Sequence, residues 1–255
     1  MTGPVRKVLD HGFVHLVDSL PAKPENDPFR GRLGVGDRAV VQAARVSTGH
    51  LPLSVHEALG LTFEGEERSE EKDIKLIEFM MKNGHTSPFE QVRFKYCVKL
   101  PIFCARQLIR HRMGSFNEQS ARYSVLPCEY YVPELWRMQG QHPTNKQMSG
   151  ASLEDIEAER CAAIIGETSQ LAYSAYESML NRGLSRELAR MVLPTNFYTQ
   201  WYWTVDLHNL MGLLSKRLMP DAQYETRVYA EAFHDMAQEI APVSMELFHK
   251  YRLGK

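Results

Sequence analysis

The nine residues VRFKYCVKL at 92–100 restrict the architecture more tightly than any other stretch. Val92, Phe94, Tyr96, Val98 and Leu100 alternate with Arg93, Lys95, Cys97 and Lys99. A two-residue period sends the first set to one face and the second to the other, which is a strand with one apolar face to bury. Such a strand is unstable alone and needs neighbouring strands and a covering layer. Two more strands are predicted, GFVHLVDSL at 12–20 and the aromatic run FYTQWYWTV at 197–205.

The covering layer reads as helices. Asp37 is expected to cap a helix reaching about Ser47, with Ala39, Val40, Ala43 and Ala44 inward. Ser69 can cap the next, where Ile74, Ile77 and Met81 recur at helical spacing and Gly84 fits the position after the last turn. Residues 51–68 hold no clear period and read as loop. Pro101 is placed to start a helix through PIFCARQLIRHR, followed by a polar loop, MGSFNEQSARYS. Residues 130–151, aromatic and then rich in Gly, Pro, Asn and Gln, read as a long surface loop. The longest helical pattern runs over 152–182 and ends at Gly183; Ser185 caps a short helix that stops before Pro194. Asp206 opens a helix towards Arg217, 221–240 is helical again, and Pro242 precedes a short terminal helix. Strands and helices mix without a regular βαβ rhythm, so the expected class is α+β, a mostly antiparallel sheet flanked by long helices.

Composition narrows the function. Thirty Lys and Arg against 31 Asp and Glu give a net charge of -1, which excludes a globally basic nucleic-acid binder. No run approaches the ~20 apolar residues of a membrane span, so no membrane partner is expected. No apolar leader opens the chain, so Cys97, Cys104, Cys128 and Cys161 are expected to be reduced thiols in a cytoplasmic protein. None forms a C-x-x-C pair, which argues against zinc and thioredoxin-type redox chemistry, and no metal site is expected. Cys128 sits in a loop with no adjacent base and reads as filler. There is no G-x-G-x-x-G or Walker loop, so a nucleotide cofactor is not held in the Rossmann manner.

The densest polar cluster is Gln107, Arg110, His111, Arg112, Ser115, Asn117, Glu118, Gln119, Ser120, Arg122 and Tyr123. Several guanidinium forks at a helix-to-loop junction suit a phosphate or another planar oxyanion. Arg106 and Arg110, one turn apart, are expected on one helix face beside Gln107. Ser120, Gln119 and loop amides add donors for a phosphate or carbonyl. A solvated loop whose arginines pair with Glu118 is the plain alternative. A second cluster is Gly84-His85-Thr86-Ser87-Pro88-Phe89-Glu90, and a third comprises Arg186, Arg190 and Arg217.

Arg110-His111-Arg112 with Ser115, Asn117, Ser120 and Arg122 spells R-H-R-x-x-S-x-N-x-x-S-x-R. This resembles the signature of flavin-dependent thymidylate synthases. AARVS at 43–47, GHTSPFEQ, PIFCARQ, LARMVLPTNFYTQWYWTVDLHNL and DAQYETR resemble the flanking segments, so the likeness covers nearly the whole chain. It implies a single domain over 1–255 and reductive C5 methylation of a uracil nucleotide, dUMP or, in a specialised relative, UMP. Methylenetetrahydrofolate is the implied carbon donor, NADPH the reductant and FAD the carrier, in a homotetramer with sites at subunit interfaces. Gln107, Arg110, Glu118, Ser120, Arg122 and Arg190 match nucleotide-binding positions. His85, Ser87, Arg110, His111, Arg112, Glu118, Asp206 and His208 match flavin contacts. Arg217 matches the arginine that polarises the uracil, an electrostatic route to C5 that needs no thiolate. Ser120 is the natural guess for a nucleophile, but the sequence sets no base beside it, and it reads as a substrate contact. The likeness breaks at Gly212, Met219 and Asp221, the last of which puts a carboxylate near Arg217. Against the flavoenzyme stands a nucleic-acid binder that uses Phe116 and Tyr123 as stacking platforms.

Overall fold

A computed structural model describes residues 4–22, 31–47 and 69–253, with single positions at 49, 55, 58 and 59. Most of the expected loop at 51–68 lies outside the described residues. The strands are β1 (Val5–Val8), β2 (Gly12–Leu20), β3 (Arg93–Pro101), β4 (Ser115–Glu118), β5 (Gln139–Gln141), β6 (Ser149–Ser152) and β7 (Tyr198–Asp206). The alternating strand, β3, is the middle of a five-stranded sheet ordered β1-β2-β3-β7-β4, with every neighbouring pair antiparallel. Tyr96 lies opposite Leu16 on one side and Trp203 on the other. Phe94, Tyr96, Val98 and Leu100 are fully buried, as their alternation requires.

The helices are α1 (Val35–Val46), α2 (Glu70–Asn83), α3 (Ile102–Leu108), α4 (Asp155–Asn181), α5 (Arg186–Ala189), α6 (Leu207–Arg217), α7 (Tyr224–Ile240) and α8 (Pro242–Tyr251). α7 covers the apolar face of the sheet. Phe233 packs at 5.0 Å from Tyr96 and 5.1 Å from Trp203, ring centre to ring centre, and Tyr229 donates to the Lys99 carbonyl at 2.9 Å. Burying a phenylalanine this fully contributes roughly 2 kcal/mol from transfer alone. The Ser69 hydroxyl accepts from Lys72 at the start of α2, and Gly84 ends that helix at φ 72°, where a side chain is strained.

The structure corrects several expectations. Asp37 is the third residue of α1, not its cap. Its buried carboxylate accepts from the Gly34, Val243 and Ser244 amides, so one anion satisfies free donors at the starts of α1 and α8. Pro101 precedes α3 as its cap, and that helix stops at Leu108 rather than continuing through Arg112, so Arg110 shares no helix face with Arg106. The supposed polar loop contains β4, which pairs with β7 and sets Phe116 opposite Trp203, the two rings stacking at 5.7 Å. The supposed loop at 130–151 contains the β5–β6 ribbon, whose uncharged polar residues carry no period to read. β1 is too short to signal itself. α7 begins at Tyr224 because the chain turns at 219–222, where the Ala222 amide bonds to the Met219 carbonyl. Among the described residues, no helix is long and apolar enough to cross a membrane.

Candidate active site

α3 ends where the chemistry begins. In a continuing helix the Gln107 carbonyl would accept from the amide of residue 111. Instead His111 bonds back to Leu108 at 3.0 Å, and Arg217 Nη2 donates to the Gln107 carbonyl at 3.1 Å. A cation on the last turn of a helix is favoured by its free carbonyls and its dipole. Arg217 itself stands in the last turn of α6, whose first turn is capped by the Asp206 carboxylate accepting from the Asn209 amide at 2.9 Å.

Arg217 Nε donates to His111 Nε2 at 3.3 Å. That nitrogen therefore carries its lone pair, and the imidazole is neutral with its proton on Nδ1. Burial first, and the Arg217 charge second, hold His111 below its ordinary value. Burial likewise lowers Arg217, which still remains a cation. Among the described residues Arg217 enters no ion pair. Asp221 is not its partner; it lines a cleft with Arg137, Gln223 and Arg227. Three of the five guanidinium N–H groups are thus left for another acceptor.

A second group of expected residues lies on the rim. Arg122 pairs with Glu187 at 3.4 Å, both exposed, and Arg190 Nε donates to the Glu187 carbonyl at 3.3 Å. Arg186 donates to the Tyr123 carbonyl at 3.2 Å. Arg122, Arg186 and Glu187 line a cavity of about 520 Å³ with Leu180 and Leu184. Ser120 Oγ accepts from the Arg122 amide at 3.3 Å, with no base bonded to it among the described residues. β4 sets Glu118 opposite Trp201, where it accepts from the Thr199 hydroxyl at 2.6 Å, and the Gln119 amide bonds to the Gln200 carbonyl. Arg110 and Arg112 are exposed, so the alternative in which Glu118 neutralises the arginine loop is not what the described contacts show.

The third group borders two grooves that meet at Gly212. One, about 110 Å³, is lined by Thr86, His208, Met211 and Arg252; the other, about 300 Å³, by His111, Arg112, Trp203, Asn209 and Lys216. His85 and Ser87 are exposed just after α2, with the His85 ring edge-on to Phe79 at 5.5 Å. A Cβ on Gly212 would meet nothing within 4 Å, so that floor is open. Trp203 forms part of the wall; its buried indole N–H faces Gly114 and has no hydrogen-bond partner among the described residues. An aromatic wall and cationic rims fit a flat, phosphate-bearing group such as the expected flavin.

Gln107 occupies the seam between these groups. Its side-chain amide donates to Gln223 Oε1 and accepts from Thr226 at 3.1 Å. Sequence reasoning missed the residues behind it, Gln223, Glu225, Arg137 and Tyr131. The first two lie in the DAQYETR segment, whose likeness was noted without roles; nothing in the 130–151 segment marks Arg137. The Cys104 thiol is buried and pushed up by that burial, and burial also raises Cys97 and Cys128. Among the described residues, the hydrogen bonds of the Cys97 and Cys128 thiols run to glutamine amides, and the Glu177 carboxylate helps to raise Cys128. Phe116, stacked on Trp203, is not available as a platform for bases.

A family model described as thymidylate synthase complementing protein matches residues 34–243. The flavin-dependent thymidylate synthase of Thermus thermophilus is 44% identical over 254 residues, covering 99% of this chain and 82% of the relative. That of Gluconobacter oxydans is 43% identical over 251 residues, covering 97% and 73%. Among solved structures, the UMP/dUMP methylase PolB from Streptomyces cacaoi bound with 5-Br dUMP aligns with a TM-score of 0.78 at 30% identity, covering 98% of this chain and all of that one.

Proposed function

The chain belongs to the flavin-dependent thymidylate synthase family, and from that premise we propose that it converts dUMP to dTMP by reductive methylation at C5. Methylenetetrahydrofolate donates the carbon and NADPH the reducing equivalents. When bound, FAD supplies hydride-transfer chemistry that no side chain can provide. His111, Arg112, His85, Ser87, Asp206 and His208, with Arg110 and Glu118 at the nucleotide edge, are the residues we assign to holding it.

One observation carries the reading: Arg217, half-buried and in no ion pair among the described residues, is pinned by His111 and the Gln107 carbonyl with N–H groups to spare. C5 of uracil is a weak nucleophile. A guanidinium that bonds the uracil carbonyl edge stabilises negative charge as it develops on the ring and raises the nucleophilicity of C5. No thiolate is required, which agrees with the raised thiols of Cys97, Cys104 and Cys128. We assign Gln107, Arg110, Gln119, Ser120, Arg122 and Arg190 to the nucleotide, with the exposed arginines meeting its phosphate.

The higher identity to thymidylate synthases than to the UMP/dUMP methylase favours the deoxy sugar. A homotetramer with shared sites is the assembly we propose. Its support is that the rim arginines are open to solvent, and that Ile156, Ile164 and Leu171 are exposed along α4. The reading places the enzyme in the cytoplasm with its nucleotide and folate, away from nucleic acid and membrane. Purified protein should carry FAD that NADPH bleaches under anaerobic conditions, and a product assay should form dTMP from dUMP faster than the methylated ribonucleotide from UMP. A colourless protein that FAD cannot reconstitute overturns the reading.

A further inference from the structure

We propose that Glu225 is a positioning residue for Arg217, acting through Gln223 and Gln107; this rests on the reading of Arg217 as the uracil-facing cation. Glu225 is the second residue of α7 and only 3% exposed. Its carboxylate meets donors on every side. Arg137 forms an ion pair with it, Nε lying 2.8 Å away and Nη2 donating at 3.2 Å; the Tyr131 hydroxyl donates at 3.3 Å, and Gln223 Nε2 donates at 3.0 Å. A carboxylate in the first turn of a helix is also favoured by the dipole.

That anion sets the polarity of everything beyond it. Because Gln223 must turn its amide N–H towards Glu225, its oxygen faces Gln107 and accepts from Gln107 Nε2. Gln107 must then turn its own oxygen to the Thr226 hydroxyl. Flipping either amide would set donor against donor or acceptor against acceptor. The relay ends at Gln107, whose main-chain carbonyl receives Arg217 Nη2. Held there, Arg217 reaches His111 with Nε and keeps its remaining N–H groups free. The plain alternative is that Glu225 only bolts the segment carrying Tyr131 and Arg137 onto α7.

The test uses the flavin-loaded enzyme and two variants. Glu225→Gln removes the charge but leaves Arg137 buried and unpaired, which threatens folding. Gln223→Met breaks the relay with no buried charge left over, so it decides the matter if Glu225→Gln does not fold. Among the described residues, the charged groups beside His111 are Arg217 and Lys216 from α6 and its chain neighbours Arg110 and Arg112. If the relay places Arg217, releasing it removes the nearest repulsion, and the His111 titration followed by NMR moves up towards an ordinary histidine. Single-turnover methylation should fall about tenfold, flavin reduction by NADPH should stay within about twofold, and Gln223→Met should add little to Arg217→Ala. A folded Gln223→Met protein with an unmoved His111 midpoint, or losses that add to those of Arg217→Ala, overturns the proposal. Should Arg217→Ala leave methylation unchanged, the reading of Arg217 itself fails, while the His111 titration still reports whether the relay positions it.

Discussion

The molecule carries two arginine groups that differ in how they are held. Arg217 is half-buried at the end of α6, with both contacts made to neutral acceptors, His111 and a main-chain carbonyl. Arg122, Arg186 and Arg190 stand on the surface at α5, where Glu187 offers Arg122 its carboxylate and Arg190 its carbonyl and Arg186 reaches the Tyr123 carbonyl. A cation kept partly from water, with no counter-ion, acts strongly on charge that forms nearby. Exposed cations are screened and partly compensated, which suits holding a phosphate whose charge does not change during reaction. Exposure thus separates activation from anchoring, although the residue type is the same.

The sharpest way to break this comparison is Arg217→Ala. Methylation should fall roughly 10²- to 10³-fold, the usual cost of removing one well-placed donor, while flavin reduction by NADPH is much less affected. Arg217→Lys should rescue only in part, since an ammonium lacks the planar fork. A variant that melts earlier yet methylates at the parent rate would leave Arg217 as scaffolding.

On the rim, Arg122→Ala or Arg190→Ala should raise the KM for dUMP about tenfold with little change in single-turnover rate, and the effect should shrink as salt is added. A large loss of rate at saturating dUMP would dissolve the distinction between the two groups.

A smaller effect is expected from pH. The folded protein lowers the His111 pKa, so the neutral form is the one the fold favours. Its contribution is fully present above the unfolded value near 6.5 and is lost as pH falls through the lower folded value. Protonation there removes the acceptor for Arg217 Nε and adds a like charge beside it. The acid limb of methylation should therefore follow the His111 titration seen by NMR, and His111→Gln should flatten it. Smallest of all, replacing Cys97, Cys104, Cys128 or Cys161 by Ala should leave turnover within about tenfold, allowing for lost packing at buried Cys104. Loss of methylation in folded, flavin-loaded Cys128→Ala would reinstate a thiolate.

Much of the frame was legible because it obeys local rules. The alternation at 92–100 marked β3, Ser69 and Gly84 bracketed α2, and Asp206 marked the start of α6. The signature at 110–122 brought the arginines into view. What failed to show was whatever depends on a distant partner. β4 and the β5–β6 ribbon are polar segments ordered by main-chain pairing, and where α3 stops, Arg217, 110 residues on, takes the Gln107 carbonyl that a further turn would have used. Glu225 was not singled out within the helical stretch 221–240.

By itself the sequence determined which segments bury apolar surface, where helices start and stop on their own caps, and which side chains can carry positive charge. Those properties come from side-chain chemistry and short-range geometry, which the order of residues contains. Only the tertiary structure decided which arginine is shielded and which is solvated, that Asp37 joins α1 to α8, and that Glu225 connects through two amides to the end of α3. Burial and hydrogen-bond polarity depend on groups far apart in the chain, and no local pattern encodes them.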